Sequence, residues 1–143
     1  MIDADSGAIT FDRGTVARTL SRRGFLASPL AAGATLDVDN GEHRTYALAR
    51  PLAAGGRAVA ASLSFEGEAL RGVSLTLADD RVGRSWDEWS ENKERARHAA
   101  HTRWLRGVLG GQGPAWTLPW GVVESGYDAK AAFSSISIRY AAR

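Results

Sequence analysis

The chain has 143 residues, enough for a core that hides roughly 70% of the surface its unfolded form exposes, and it has no cysteine, which excludes disulfides, thiolate metal sites and a cysteine nucleophile. Eighteen basic residues against 16 acidic ones leave a net charge of +2, too small and too interspersed to require a polyanion, so nucleic acid is not an expected partner. No apolar run approaches the 18 or so residues of a membrane span, and Met1 to Ser6 is acidic and polar; a soluble, cytoplasmic protein without a membrane partner is expected.

All the basic residues except Lys93 and Lys130 are arginine. Beside so much alanine and glycine this reads as a coding bias and not as phosphate recognition. Residues 1–7 are expected to fray. Ala8 to Phe11 alternates like a short strand and Asp12-Arg13-Gly14 breaks it. Val16, Leu20 and Phe25 sit near helical spacing, so a short helix is expected within Thr15 to Ala27, before Ser28-Pro29 disfavours helical geometry. Leu36 and Val38 alternate with acidic residues up to Asn40-Gly41, and Thr45 to Ala49 alternates again. Asparagine and glycine tolerate positive φ, so a hairpin turn is expected there. Pro51 to Gly56 reads as a turn region. Arg57 to Phe65 is a strand with Val59, Ala61, Leu63 and Phe65 on one face; Glu66-Gly67-Glu68 turns the chain, and Arg71 to Leu77 returns with Val73, Leu75 and Leu77 inward.

Ser85 to Gly110 reads as the main helix. Ser85-Trp86-Asp87-Glu88 fits a capping box, acidic residues crowd the first turns and arginines the later ones, and Gly110-Gly111 supplies a stop. At about 100° per residue, Trp86, Trp89, Ala96, Ala100, Trp104 and Val108 share the face expected to be buried. A Gly/Pro/Trp-rich connector from Gln112 to Pro119 precedes a second hairpin, Trp120 to Tyr127 and Phe133 to Tyr140, around Asp128-Ala129-Lys130-Ala131. The whole, 1–143, is expected to be a single α+β domain: an antiparallel sheet of about five to seven strands with one long amphipathic helix and a short N-terminal helix on one face.

The words Trp86-Asp87-Glu88-Trp89-Ser90-Glu91, Pro119-Trp120-Gly121 and Ser134-Ser135-Ile136-Ser137-Ile138-Arg139-Tyr140 resemble a group of small bacterial proteins that carry no assigned activity. The resemblance covers about the C-terminal 60 residues. It implies an α+β fold and a bacterial source, and it brings no catalytic residue with it.

Three sets of residues could carry function. Asp87, Glu91, Glu94, His98 and His101 form a near-straight row on the helix. Glu94, His98 and His101 could offer one oxygen and two imidazole nitrogens to a zinc-like ion with open positions for water, but Glu91 with Arg95 and Glu94 with Arg97 also read as ordinary surface pairs on a solvated flank. Of the five tryptophans, Trp86, Trp89 and Trp104 are explained by the core face. Trp116 and Trp120 lie outside any periodic element and are candidates for a binding loop. The third set is a sheet face of small residues: Ala58, Ala60, Ser62 and Ser64, then Gly72, Ser74 and Thr76, then Ser135 and Ser137. A solvated face would carry more lysine and glutamate, so this one suits close approach by another protein or a second copy.

Hydrolase and nucleotide motifs are missing: there is no G-x-S-x-G and no P-loop lysine, and Gly110-Gly111-Gln112-Gly113 follows a helix instead of opening one. The expected function is a non-catalytic protein-binding module of a bacterium, of inhibitor, immunity or adaptor type, working without a cofactor. The alternative is a metal-binding protein or metal-dependent enzyme using Glu94, His98 and His101.

Overall fold

The computed structural model describes residues 2–78, 91–128 and 133–141. Among them are ten strands: β1 (Ile9–Phe11), β2 (Gly14–Val16), β3 (Thr35–Asp39), β4 (His43–Ala47), β5 (Ala53–Ala54), β6 (Arg57–Glu66), β7 (Ala69–Leu77), β8 (Ala115–Leu118), β9 (Gly121–Asp128) and β10 (Phe133–Tyr140). Two helices, α1 (Arg22–Leu26) and α2 (Glu91–Leu109), and a single 3-10 turn at Pro29–Ala31 complete the elements. No helix of the described residues is long and apolar enough to cross a membrane. The expected capping box at Ser85, the rings of Trp86 and Trp89, the side chain of Glu91 and the tip of the second hairpin lie outside the described residues.

All strands join one curled, antiparallel sheet in the order β2-β1-β5-β6-β7-β10-β9-β8, with the β3–β4 hairpin also attached to β6. The long strand β6 is the fork. Its first residues pair with β5 (Ala53 with Ala58) and its later ones with β4 (Tyr46 with Leu63), while its other edge runs along β7 from Val59 to Glu66. Period-two alternation explains the burial: Val59, Ala61, Leu63 and Phe65 of β6, Val73, Leu75 and Leu77 of β7 and Ile136, Ile138 and Tyr140 of β10 all point into the core. At the β3–β4 turn, Gly41 takes φ +92°. Asp39 Oδ1 accepts from the Gly41 N–H at 2.9 Å, and Asn40 Oδ1 from the His43 N–H at 2.8 Å, so the short polar side chains satisfy the turn's donors. In α1, the Ser21 hydroxyl caps Gly24 N–H at 2.9 Å, and the helix delivers Phe25 into an aromatic group with Tyr46 and Phe65 at ring separations of 5.2 and 5.7 Å.

The expectation of an α+β protein with five to seven strands is corrected. The fold is mostly β, with 48% of the described residues in strands and bridges. The missed strands are short. The short helix expected within Thr15 to Ala27 is present as α1, but β2 takes the first two residues of that range and closes a hairpin on β1, with Ile9 opposite Val16. β5 falls inside the Pro51 to Gly56 turn region, and β8 inside the Gln112 to Pro119 connector. Segments of two to four residues are too short for periodicity to register, and these are held by their neighbours, not by their own propensity. Nor does the N-terminal segment fray. Ile2 is buried and bridges Ile9, and Asp3 N–H donates to Ala8 O at 2.8 Å.

Candidate functional site

The polar stripe of α2 is inward-facing, the reverse of the expected solvated flank. The helix packs on β7, β9 and β10, and Glu94, His101, Thr102 and Leu105 are buried there, whereas Ala96 is exposed and Trp104 and Val108 are half-buried. Glu94, 4% exposed, accepts from the Ser134 N–H at 3.1 Å and the Ser134 hydroxyl at 3.0 Å, and its other oxygen takes the Arg97 guanidinium. His98 Nε2 lies 3.1 Å from the Ser125 carbonyl, which can only accept, so this nitrogen carries the proton. In His101 the roles reverse: Nε2 accepts from the Leu77 N–H at 3.0 Å, and the proton sits on a buried Nδ1 without a hydrogen-bond partner. Burial first, then the charges of Arg97, His98 and Arg57, push the pKa of His101 down to about 4. The Thr102 hydroxyl, 2.8 Å from that of Ser125 and 3.0 Å from the His98 carbonyl, completes the seam.

These side chains are engaged by three different strands and do not converge on a point. Among the described residues no group of three or more His, Cys, Asp or Glu could hold a metal ion. What the arrangement does chemically is fix a helix to a sheet: buried backbone donors and acceptors that would otherwise be orphaned are satisfied by the stripe. A signal for it was present in sequence, since Leu105 extends the row by four residues and marks its buried side.

The two loop tryptophans are also turned inward. Trp116 is 9% exposed and its Nε1–H donates to Gly110 O at 2.6 Å, closing the end of α2. Gly113, at φ +69°, lies under the ring, where an added Cβ would come within 2.2 Å. Trp120 is 3% exposed. Its Nε1–H donates to Ala4 O at 2.8 Å, and its ring stands 6.0 Å from that of Tyr140, whose hydroxyl donates to Gly7 O at 2.8 Å. Desolvation pushes that hydroxyl's pKa up. Trp116 and Trp120 therefore clamp the chain's own backbone.

The small residues do assemble into one face. Register places Ala47, Ser62, Ser74 and Ser137 side by side across β4, β6, β7 and β10, followed by Glu124 on β9. A second row runs Val38, Thr45, Ser64, Gly72 and Arg139. The Thr45 and Ser64 hydroxyls bond at 3.2 Å. Gly72 lets β10 approach so closely that a Cβ there would meet Ile138 O at 2.7 Å. Ser74 is exposed, and Ser62, Ser64, Thr76, Ser135 and Ser137 are half-buried. A shallow depression of about 320 Å³ lies among Arg50, Ala60, Ser62, Ser74 and Thr76. Two further clefts, of about 370 and 390 Å³, flank Arg18 near Ser21 and Trp120. Neither is lined by a histidine that could activate a nucleophile. No family model, curated protein or solved structure matches the chain.

Proposed function

We propose that this chain is a non-catalytic protein-binding module of a bacterium, docking another protein through the face of Ser62, Ser64, Ser74, Thr76, Ser135 and Ser137. The observation that carries the reading is the aligned row Ala47–Ser62–Ser74–Ser137, four adjacent strands without a long side chain between them. Serine and alanine have little rotamer freedom to lose, whereas ordering a lysine or glutamate at an interface costs on the order of 1 kcal/mol. With strands about 4.8 Å apart and about 3.4 Å per residue, the row and its neighbours along β6 cover roughly 300 Å². That is less than half of the about 800 Å² each partner contributes to a standard interface. The face is thus the centre of a contact whose rim includes Arg50, Glu124 and Arg139.

The test is Ser62→Glu with Ser74→Arg. The two positions are directly opposed, so the new charges pair across the strands and the fold survives. Wild-type protein is expected to retain a specific bacterial protein in pull-down, and the variant, folded by circular dichroism, to lose it. Equal capture by both would discard the docking face. Self-association of the wild type in sedimentation, abolished in the variant, would name a second copy as the occupant.

A further inference from the structure

Strand β3 is exposed along all five residues, although its apolar side chains would suit a covered strand. Leu36 is 44% exposed and Val38 47%. Among the described residues the strand pairs with β4 alone, so its outer edge presents N–H and C=O groups that none of them takes up. Leu36 stands opposite Tyr46, in line with the core-facing row, while Val38 stands opposite Thr45, in line with Ser64 on the other face. A register shift between Leu36 and Val38 leaves Asp37 without a partner residue on β4. Thus the edge is bracketed by one apolar side chain on each face, with carboxylates between and beyond them.

Charge decides what fits. The chain carries a net +2, yet the hairpin from Thr35 to Ala47 holds Asp37, Asp39 and Glu42 against Arg44 alone. Arg44 is taken by Asp39 at 3.2 Å. A second copy of β3 is a poor occupant. Antiparallel pairing about Asp37 sets that carboxylate against its own counterpart, and pairing about Val38 sets Asp37 against the copy's Asp39; like charges directly opposed are destabilising.

We propose that the free edge of β3 receives an extended segment of another protein as an added strand, with apolar residues against Leu36 and Val38 and lysine or arginine against Asp37. Main-chain hydrogen bonds along the edge provide attachment, and the alternating side chains provide selectivity. The edge adjoins the Ser62–Ser74 row but does not depend on it.

The probe is a phage-displayed library of random decapeptides selected on the wild-type protein. The expected winners alternate apolar and basic residues. As synthetic peptides they should lose at least tenfold in affinity against Leu36→Ser/Val38→Ser and against Asp37→Lys, while binding Ser62→Glu/Ser74→Arg as they bind the wild type. These β3 side chains are exposed, so the variants keep the fold, and circular dichroism checks it. Hydrogen exchange should show β3 amides protected by the peptide. The idea is overturned if nothing is enriched over the Leu36→Ser/Val38→Ser protein, if the winners are acidic or ignore the β3 changes, or if Ser62→Glu/Ser74→Arg abolishes their binding. That last result would assign them to the sheet face instead.

Discussion

His101 ties stability to pH in a way that can be worked out from its surroundings. Its Nε2 must be unprotonated to accept from the Leu77 N–H, and burial lowers its pKa from the ordinary 6.5 to about 4. Between those values the unfolded chain binds a proton that the folded chain refuses, so stability must fall as pH falls. The contribution is fully present above pH 6.5 and is lost progressively down to about pH 4, at about 1.4 kcal/mol per pH unit. Between pH 7.5 and 4.5 the loss from this one group is about 2.5 kcal/mol, a large share of the roughly 5–15 kcal/mol that holds a domain folded. The perturbation is His101→Gln, which retains an acceptor for Leu77 but does not titrate. Urea melts of both proteins at pH 7.5, 6.0, 5.0 and 4.5 provide the measurement. Every other ionisable group is common to the two proteins and cancels in the difference. The wild type is expected to lose about 2–3 kcal/mol more than the variant over this range. Parallel curves, within about 0.5 kcal/mol at every pH, would refute the assignment of a buried, neutral His101.

Glu94→Ala removes the acceptor shared by the Ser134 N–H, the Ser134 hydroxyl and Arg97, and truncating one member of a buried pair costs about 3–5 kcal/mol; Glu94→Gln, which still accepts, should lose less, and denaturation midpoints give the order. Trp120→Ala empties a large aromatic site at a cost of about 3–5 kcal/mol and unpins the N-terminal segment. Amide exchange should then be fastest between Asp3 and Ala8, and unchanged exchange there would contradict the clamp.

Much of the sheet was legible because its long strands obey their own periodicity: β6 alternates strictly, β7 does so from Val73 to Leu77 after a register shift opposite Ser64 and Phe65, and Asn40-Gly41 is a turn by residue chemistry alone. The helix stripe was not. A 4-3-4 spacing of Glu94, His98, His101 and Leu105 defines a face without saying whether it is wet, and polarity argued for water. The deciding partners come from elsewhere: Ser125 and Ser134, 27 and 40 residues further along the chain, and the Leu77 N–H, 24 residues before. Local pattern cannot register them. Trp116 and Trp120 were misjudged for a related reason, since the carbonyls they bind, Gly110 and Ala4, belong to a loop and to the N-terminal segment. The small-residue face was visible throughout, because period two requires no knowledge of what lies beneath the sheet.

The clamp on the N-terminal segment also sets an order of events at the ribosome. The Ala4 carbonyl waits 116 residues for Trp120, and Gly7 waits 133 for Tyr140. At about 5–20 residues per second, this segment spends roughly 6 to 25 seconds without the Trp120 and Tyr140 rings that pin it. Ile2, Ile9 and Val16 stay open to solvent or to a chaperone during that interval. The β1–β2 hairpin is therefore made long before it is locked, and a message truncated before Trp120 yields a chain in which the Ala4 and Gly7 carbonyls never find their partners.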